Sequence, residues 1–348
     1  MCKFTQILSI LRKFAHKILG KFPGGDKHIG INPCSIKYIH YLFKRYLIRH
    51  MKRFIPYIML IACAASLCAQ VQFSSEYIAP STLVDSDGNN RGRGSMAKVG
   101  LIANLPFSYE LDSTRQIVRM WAITLSSKYA NLNNTGVAGV YVPDRMLNTS
   151  LNLTHIRPLG ERWKLMASLG VGIYARPNHI VFKSLLANGG AVAVYKVRDN
   201  FDLGIGGGLT NSFGFPAILP MIYVNWSLKG LYQIDVSMIT GLKVSLKRKW
   251  NEKFTTALTA VDMEGMSAVF RKEGKWKIYT TTLMRSHLEL DYHYNRHFTF
   301  FGGLGATWNR SSRLSDRKFK NFYKLFHSDD HMHFKPAFTV RLGASITL

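Results

Sequence analysis

Four ionisable residues occupy alternate positions in one segment of the chain: His287, Glu289, Asp291 and His293. Apolar or aromatic residues fill the positions between them. Because successive side chains of a β-strand point to opposite faces, this spacing predicts a strand with one ionisable and one apolar face. Neighbours on such a face lie about 7 Å apart, so they share a metal only when an adjacent strand supplies further ligands. We therefore expect a polar stripe that faces the lumen of a barrel.

The densest group of metal-ligating side chains lies further along the chain and comprises His327, Asp329, His331 and His333. Imidazoles and carboxylates are ligands that Zn²⁺ and Ni²⁺ accept. A metal site also needs outer partners that orient its ligands, and a sequence does not show them. The group is a weak candidate for metal binding in a long loop, and we expect no cofactor.

Two Ser/His pairs raise the alternative of a lipid-hydrolysing enzyme: Ser286–His287 and His327–Ser328. A nucleophile, its base and an orienting group must meet in space. Adjacent residues of one strand point to opposite faces, which weakens each pair, and the chain has no G-x-S-x-G motif. We assign no catalytic residue and do not expect an enzyme.

The alternation of apolar with polar residues, seen in the ionisable stripe, is repeated along the chain after residue 70. It is clearest in 163–175, and it recurs in 147–154, 201–210, 221–228 and 338–348. The longest runs approach the roughly 9–11 residues that cross a bilayer at a tilt. There are sixteen candidate strand segments, with 253–261 separate from 266–271 and 277–284 separate from 287–294. The pattern predicts an all-β, antiparallel transmembrane β-barrel with an even number of strands, between 12 and 16.

Short polar turns alternate with longer connections, as in outer-membrane barrels. The candidate short turns are 160–162, 198–200, 229–230, 250–252 and 295–296. Aromatic residues flank the turns, where a membrane interface would lie: Trp163, Phe201, Tyr232, Phe254, Trp276 and Phe298. The predicted longer loops, on the outer face, are 84–94, 132–144, 176–187 and 309–333.

The composition of the chain argues against two classes of protein, helical membrane proteins and nucleic-acid-binding proteins. Mean hydropathy is −0.02, yet no run of eighteen apolar residues occurs in the body of the chain, which argues against a bundle of membrane helices. The formal net charge is +26, but the region after residue 69 shows no zinc-finger spacing and no basic recognition helix. We expect no nucleic-acid partner and assign the basic residues to surfaces that meet anionic lipid.

Residues 51–69 have the three-part layout of a secretory signal peptide. Lys52 and Arg53 precede an apolar stretch, and we predict cleavage between Ala69 and Gln70. Lipidation at Cys63 is the alternative processing event. All four cysteines precede residue 70, so the region 70–348, predicted to be the barrel, contains no thiol.

Residues 1–50 carry ten Lys or Arg against one acid, Asp26. They are predicted to form a basic helical extension, which would bind a membrane surface if it is present. The other interpretation is that translation starts at Met51 and residues 1–50 are not translated.

Several motifs resemble one family. They are the signal ending in Ala69-Gln70, the Gly-rich alternating hairpins, the terminal strand, and a run with Pro220, Tyr223, Leu228, Tyr232, Asp235 and Val236. Over 71–348 the chain resembles the outer-membrane β-barrel family labelled domain of unknown function 6268. The resemblance implies a barrel and the cell outer membrane as its location, and it implies no substrate.

The leading functional hypothesis is an outer-membrane barrel, in contact with outer-membrane lipid, that passes or binds small solutes. Lumen-facing Lys, Arg and Asp would then set an anion preference. Two alternatives stay open: a lipid-modifying enzyme, and a closed structural barrel whose outer loops bind a partner or a metal.

Overall fold

The computed structural model describes residues 69–112, 117–210, 217–228, 230–238, 241–272, 274–316 and 332–347. Fifteen strands make up nearly all of them: β1 (Gln70–Val84), β2 (Asn90–Asp112), β3 (Ile117–Gly136), β4 (Arg145–Pro158), β5 (Trp163–Ala175), β6 (Leu185–Arg198), β7 (Phe201–Thr210), β8 (Ala217–Leu228), β9 (Tyr232–Met238), β10 (Leu242–Lys249), β11 (Phe254–Lys272), β12 (Lys275–His293), β13 (Phe298–Asp316), β14 (Met332–Phe334) and β15 (Ala337–Thr347). Two short helical turns accompany them, α1 (Val137–Tyr141) and η1 (Phe182–Ser184). In these ranges no helix has the length and apolar character needed to span a membrane.

The strands close into one antiparallel barrel. Each of β1 to β13 pairs with its neighbours in sequence, and β15 pairs with β13 on one side and with β1 on the other. The closing register runs from Gln70 opposite Thr347 to Ile78 opposite Thr339. Strand β14 continues β15 along the same barrel position after an interruption at Pro336, which has no N–H for the ladder. The barrel therefore has fourteen strand positions and no free edge, which confirms the predicted antiparallel barrel and its even strand number.

The count of sixteen segments was wrong because two continuous strands were each counted twice. A β-bulge interrupts the alternation in β11, and the consecutive polar residues Arg285 and Ser286 interrupt the apolar face in β12. The segments 253–261 and 266–271 belong to one strand, β11, and 277–284 and 287–294 are covered by β12. Ser245 of β10 pairs with Thr259 of β11, and Val244 of β10 pairs with Val261 of β11. Ala260 of β11 is therefore an extra residue between the two pairs. A bulge shifts the alternation by one position, so the pattern breaks in the middle of a continuous strand.

The outer face of the barrel is apolar. Exposed large side chains repeat at every second position on neighbouring strands, among them Leu151, Leu169, Ile205, Leu288 and Leu342. At the end where Gln70 and Thr347 lie, termed the near end, aromatic rings pair between strands: Trp163 with Tyr195, Phe201 with Trp226, and Phe254 with Tyr292, at 4.9, 5.7 and 5.2 Å between ring centroids. Such a band fits the predicted interfacial aromatics at the near end.

All five predicted short turns lie at the near end, because each follows an even-numbered strand. The predicted longer loops lie at the opposite, far end, but three are shorter than expected. Strands β1 and β2 pair up to Val84 and Asn90, so the loop 84–94 is a tight turn. Loop 132–144 is reduced by β3 and α1, and loop 309–333 begins only after β13 ends at Asp316. Polar strand ends continue the ladder there, and polar composition alone does not distinguish them from loops.

The turn between β1 and β2 is held by Asp85. Its carboxylate accepts hydrogen bonds from the backbone N–H groups of Asp87 and Asn89 and from Arg91 Nε, at 3.1, 2.8 and 2.7 Å. Partial burial alone would raise the pKa of Asp85, but the hydrogen bonds from Arg91 and Asn89 outweigh it and hold that pKa below its usual value. The turn thus has a local basis independent of the lumen.

The wall of the barrel has two heights. Strands β1–β3 and β11–β13, termed the tall wall, have 15, 23, 20, 19, 19 and 19 residues. Strands β7–β10, termed the short wall, have 10, 12, 7 and 8. Strand β10 pairs with β11 only as far as Asp262, opposite Lys243. Beyond that point β11 crosses towards β5, where Val269 pairs with Ala175 in parallel.

A hydrophobic cluster fills the far end inside the tall wall. Its members come from both sides of the lumen: Ile78, Met96, Leu132 and Met146 from β1–β4, and Met266, Phe270, Tyr279 and Leu283 from β11 and β12. Most of these side chains are fully buried. Complete burial of lumen-facing apolar side chains means that the opposite walls are in contact at this level.

Candidate lumen site

The predicted ionisable stripe lies on the lumen side of β12. Glu289 Oε2 is 3.5 Å from Arg341 Nη1, and His293 contacts the hydroxyls of Thr255 and Thr299 at 3.1 and 2.9 Å. His287 is buried and helps to line a cavity of about 10 Å³, the size of one water molecule. The stripe is therefore packed among other polar groups, and its functional role stays a prediction.

Six charged residues form a single cluster in the lumen, termed the ion-pair cluster: Glu76, Lys98, Lys128, Asp262, Glu264 and Arg285. Arg285 lies at its centre, with Nη1 at 2.6 Å from both carboxylate oxygens of Glu76. Its Nη2 is 2.7 Å from Asp262 Oδ2 and 2.7 Å from Glu264 Oε2. The planar guanidinium thus holds three carboxylates, one from β1 and two from β11.

The two lysines complete the ion-pair cluster. Lys98 Nζ is 2.9 Å from Glu76 Oε2 and 2.5 Å from Glu264 Oε2, and Lys128 Nζ is 2.6 Å from Glu264 Oε1. Three carboxylates face three cations, so the cluster is neutral. Glu76, Lys98 and Arg285 have only 5–7% of their side chains exposed. Because β1–β3 supply one half and β11–β12 the other, these contacts tie opposite walls of the barrel together.

Reasoning from the sequence missed the ion-pair cluster. Glu76 and Arg285 are 209 positions apart, and each charge is isolated in its own strand pattern. Asp262 and Glu264 follow the bulge at Ala260, which turns even-numbered positions of β11 towards the lumen. The available signal was Glu76, an acid inside the predicted strand segment 71–78, since such residues almost always have a partner in the interior. Asp262 and Glu264 fell between two predicted segments.

A cavity of about 340 Å³ lies in the lumen beside the ion-pair cluster. Its lining comes from β2–β8 and includes Ile102, Thr124, Ser126, Asn152, Met166, Asn188, Val192 and Met221. Lys128 is its charged lining residue, and the Nζ of that lysine is bound by Glu264. The cavity is in the size range of small-ligand sites and is lined mainly by uncharged groups.

Glycines of β6 and β7 make room for one side of this cavity. The side chain of Met221 lies over Gly190 and Gly208, where an added Cβ would collide with its Cε. Met221 packs against Val192 and Val194 in a small apolar cluster. The short wall therefore contributes small residues and one methionine where the tall wall contributes long charged side chains.

The structure gives little support to the other predicted sites, the metal group and the Ser/His pairs. His333 lies in β14, opposite Val84 and Ser311, whereas His327, Asp329 and His331 lie outside the described residues. Within the described ranges no three His, Cys, Asp or Glu side chains form a metal-binding group. The hydroxyl of Ser286 donates to Ala260 O and accepts from Trp308 Nε1 on the outer face, away from the lumen-facing His287. This pair therefore has no geometry for nucleophilic catalysis.

A family described as Domain of unknown function (DUF6268) matches residues 65–347. The chain belongs to this family. The match covers the whole barrel and agrees with the resemblance noted in the sequence. No curated protein matches the chain.

Solved structures show a distant likeness to this family member. The COG4313 outer membrane channel from Pseudomonas putida F1 is 8% identical, with a TM-score of 0.40, over 81% of this chain and 96% of that one. A Pseudomonas aeruginosa FadL homologue is 10% identical, with a TM-score of 0.40, over 82% and 92%. The KdgM porin in complex with oligogalacturonate is 6% identical, with a TM-score of 0.30, over 80% and 99%. Likenesses at this distance assign neither a mechanism nor a solute.

Proposed function

We propose that the chain is an outer-membrane barrel that binds small solutes in the lumen cavity and passes them across the membrane. The observation that carries the proposal is the combination of a closed barrel, an apolar outer face and a lumen cavity lined by uncharged groups. Closed barrels satisfy every backbone hydrogen bond between strands, which is the condition for crossing lipid with strands.

The orientation follows that of single-chain outer-membrane barrels, with short periplasmic turns and longer outer loops. The near end, with its short turns and aromatic pairs, would face the periplasm, and the far end would face outwards. Cleavage between Ala69 and Gln70 would leave β1 intact, since Gln70 already pairs with Asn104 and Thr347. Lipid of the outer membrane would surround the apolar face.

The position of the cavity favours passage along β3–β8, which supply nearly all of its lining. On the side of β1, β11 and β12 the ion-pair cluster and the far-end hydrophobic cluster join the walls. Near-end lumen side chains of β5 and β10 remain open to water, as Lys164 and Lys247 do with 39% of their side chains exposed. Solute would therefore reach the cavity from the near end past two partly exposed ion pairs, without separating a pair of the ion-pair cluster.

The same cluster supports a second candidate function, a closed structural barrel. Contacts between opposite walls stabilise a filled lumen, and a filled lumen would conduct nothing. The two candidates differ in whether solute crosses the barrel, and a flux measurement separates them.

The experiment measures solute entry into liposomes that contain the purified barrel, after membrane fractionation and a heat-dependent gel shift have established a folded outer-membrane protein. Ser126→Phe fills the cavity from the lumen face of β3, and Leu125→Phe adds the same ring to the outer face one position away. We expect flux that falls several-fold in Ser126→Phe and persists in Leu125→Phe.

Folded barrel without flux would overturn the passage function and leave the structural barrel. Chains starting at Met1 and at Met51 should yield the same product if residues 1–50 are dispensable.

A further inference from the structure

We infer that the lumen cavity takes an uncharged solute that carries both hydroxyl groups and hydrocarbon. This inference rests on the proposed function and names the class of solute for that cavity. It differs from the anion preference expected from the sequence, because the lumen charges beside the cavity, those of the ion-pair cluster, are paired with one another.

The charge of the lining excludes ions as favoured ligands. No carboxylate lines the cavity within the described residues, and Lys128, its one cation, is bound by Glu264 at 2.6 Å. The ion-pair cluster next to the cavity is neutral. A charged solute entering the cavity would lose water without gaining an opposite charge, and this desolvation costs more than that of a neutral hydroxyl compound.

One side of the cavity offers hydrogen bonds. Ser150, Asn152, Thr154 and Ser168 of β4 and β5 line it, and Asn152 Nδ2 donates to Ser150 Oγ at 3.2 Å. Thr124 and Ser126 of β3 line it too, and the described chain supplies neither hydroxyl with a side-chain partner. A hydroxyl carries one donor and two lone pairs, and an amide carries two donors and an acceptor with two lone pairs. The hydroxyl and amide groups that line this side therefore retain capacity to bind a ligand.

The other side of the cavity is apolar. Met166, Val192 and Met221 line it, and Gly189 and Gly190 leave the backbone uncovered beside them. Methionine side chains adapt to the shape of an apolar ligand. Polar groups thus predominate on β3 and β4 and apolar side chains on β5, β6 and β8, with Ser168, Asn188 and Thr210 as further polar lining. This mixture matches a solute that carries both hydroxyl groups and hydrocarbon.

The volume limits the size of the solute. A cavity of about 340 Å³ is at the small end of the range of small-ligand sites, which favours a compact solute.

The experiment compares three probes of nearly equal shape: tyrosol, which is neutral, tyramine, which is a cation, and 4-hydroxyphenylacetate, which is an anion. Binding to the purified full barrel in detergent is measured by calorimetry, and entry is measured in liposomes. We expect tyrosol to bind about tenfold more tightly than either charged probe, since leaving one charge unpaired costs at least that much. Ser126→Leu together with Asn152→Leu should weaken tyrosol binding several-fold, and Leu125→Phe should not.

The outcomes separate the inference from the function beneath it. Equal binding of all three probes, or preference for a charged one, would overturn the solute class while flux of any probe keeps the passage function. Flux of small solutes without binding of tyrosol would also overturn the class. Neither flux nor binding in a folded barrel would remove both.

Discussion

The tall wall and the short wall follow the same alternation but leave the lumen in different states. Lumen positions of the tall wall hold Glu76, Lys98 and Arg285, whose long side chains meet across the barrel. Lumen positions of β7 hold Gly204, Gly206 and Gly208, and Met221 of β8, which lies over Gly208, lines the cavity. Alternation therefore decides which face a residue occupies, and the volume and charge of the residue decide whether the lumen is filled.

The largest effect is expected from inserting one alanine after Asp262 in β11. The insertion would turn Glu264 towards lipid and leave Lys98, Lys128 and Arg285 with two carboxylates. Losing one partner of a buried ion pair costs about 3–5 kcal/mol, and Met266 would leave the far-end hydrophobic cluster as well, so we expect no folded barrel. The heat-dependent gel shift measures this. Deletion of Ala260, the extra residue of the bulge, is the matched control: it keeps Thr259 and Asp262 on the lumen face and should retain the shift. A shifted band from the insertion would show that β11 absorbs another extra residue.

Replacement of Arg285 by methionine tests the tall wall more gently. Three carboxylates would remain with two lysines in a buried site, and losing one partner of a buried pair costs about 3–5 kcal/mol. The urea midpoint of unfolding should fall accordingly. Arg341→Met is the matched control, because Arg341 makes one 3.5 Å contact with Glu289 and should cost less. Equal losses in the two variants would mean that the cluster adds nothing beyond an ordinary lumen pair.

On the side of the short wall, Gly208→Val probes the space beside the cavity. The new side chain collides with Met221 Cε, so the methionine must move into the cavity. Overpacking of this kind costs about 1–3 kcal/mol, and tyrosol binding should weaken with it. Gly207→Val places the same side chain at the neighbouring outward position, where an added Cβ meets only Leu219 O at 3.9 Å. If the two variants bind tyrosol equally, Met221 does not border the functional space.

The smallest effect is expected for Lys164→Ala. This substitution breaks an ion pair at the near end, in which Lys164 Nζ lies 2.7 Å from Asp202 Oδ2. With 39% of its side chain exposed, this lysine is screened by water, and such pairs contribute about 0–1 kcal/mol. The urea midpoint should change little, and the change should shrink further in high salt. A loss as large as that of Arg285→Met would contradict the distinction between the two walls.

The sequence predicted the strands well because one face of each strand is apolar throughout. The segment 163–175 matches β5, and the short turns fell where Gly, Asn and Asp interrupt the alternation. The sixteen segments became fourteen positions because the bulge at Ala260 reverses the alternation within β11, and because the consecutive polar residues Arg285 and Ser286 divided β12. The extent of β2 towards Asn90 was missed, since its Gly and Arg residues have the composition of a loop.

The candidate site was harder to predict, because the register between distant strands determines which lumen side chains meet. The stripe from His287 to His293 was visible as a pattern within one strand. The partners of Arg285 depend on how many residues each intervening strand contributes, and no local pattern records that. The signal segment and the residues at 327–331 lie outside the described ranges, so the processing and metal hypotheses stay predictions.

The balance of charges in the ion-pair cluster has an electrical consequence. A potential across the membrane does work of about 2.3 kcal/mol per 100 mV on each elementary charge that crosses it. Three cations and three carboxylates that move together carry no net charge, so the field does no net work on them. A change of voltage therefore does not pull the ion-pair cluster as a unit to either side of the membrane, and its displacement has to be driven by a bound molecule or by movement of the strands themselves.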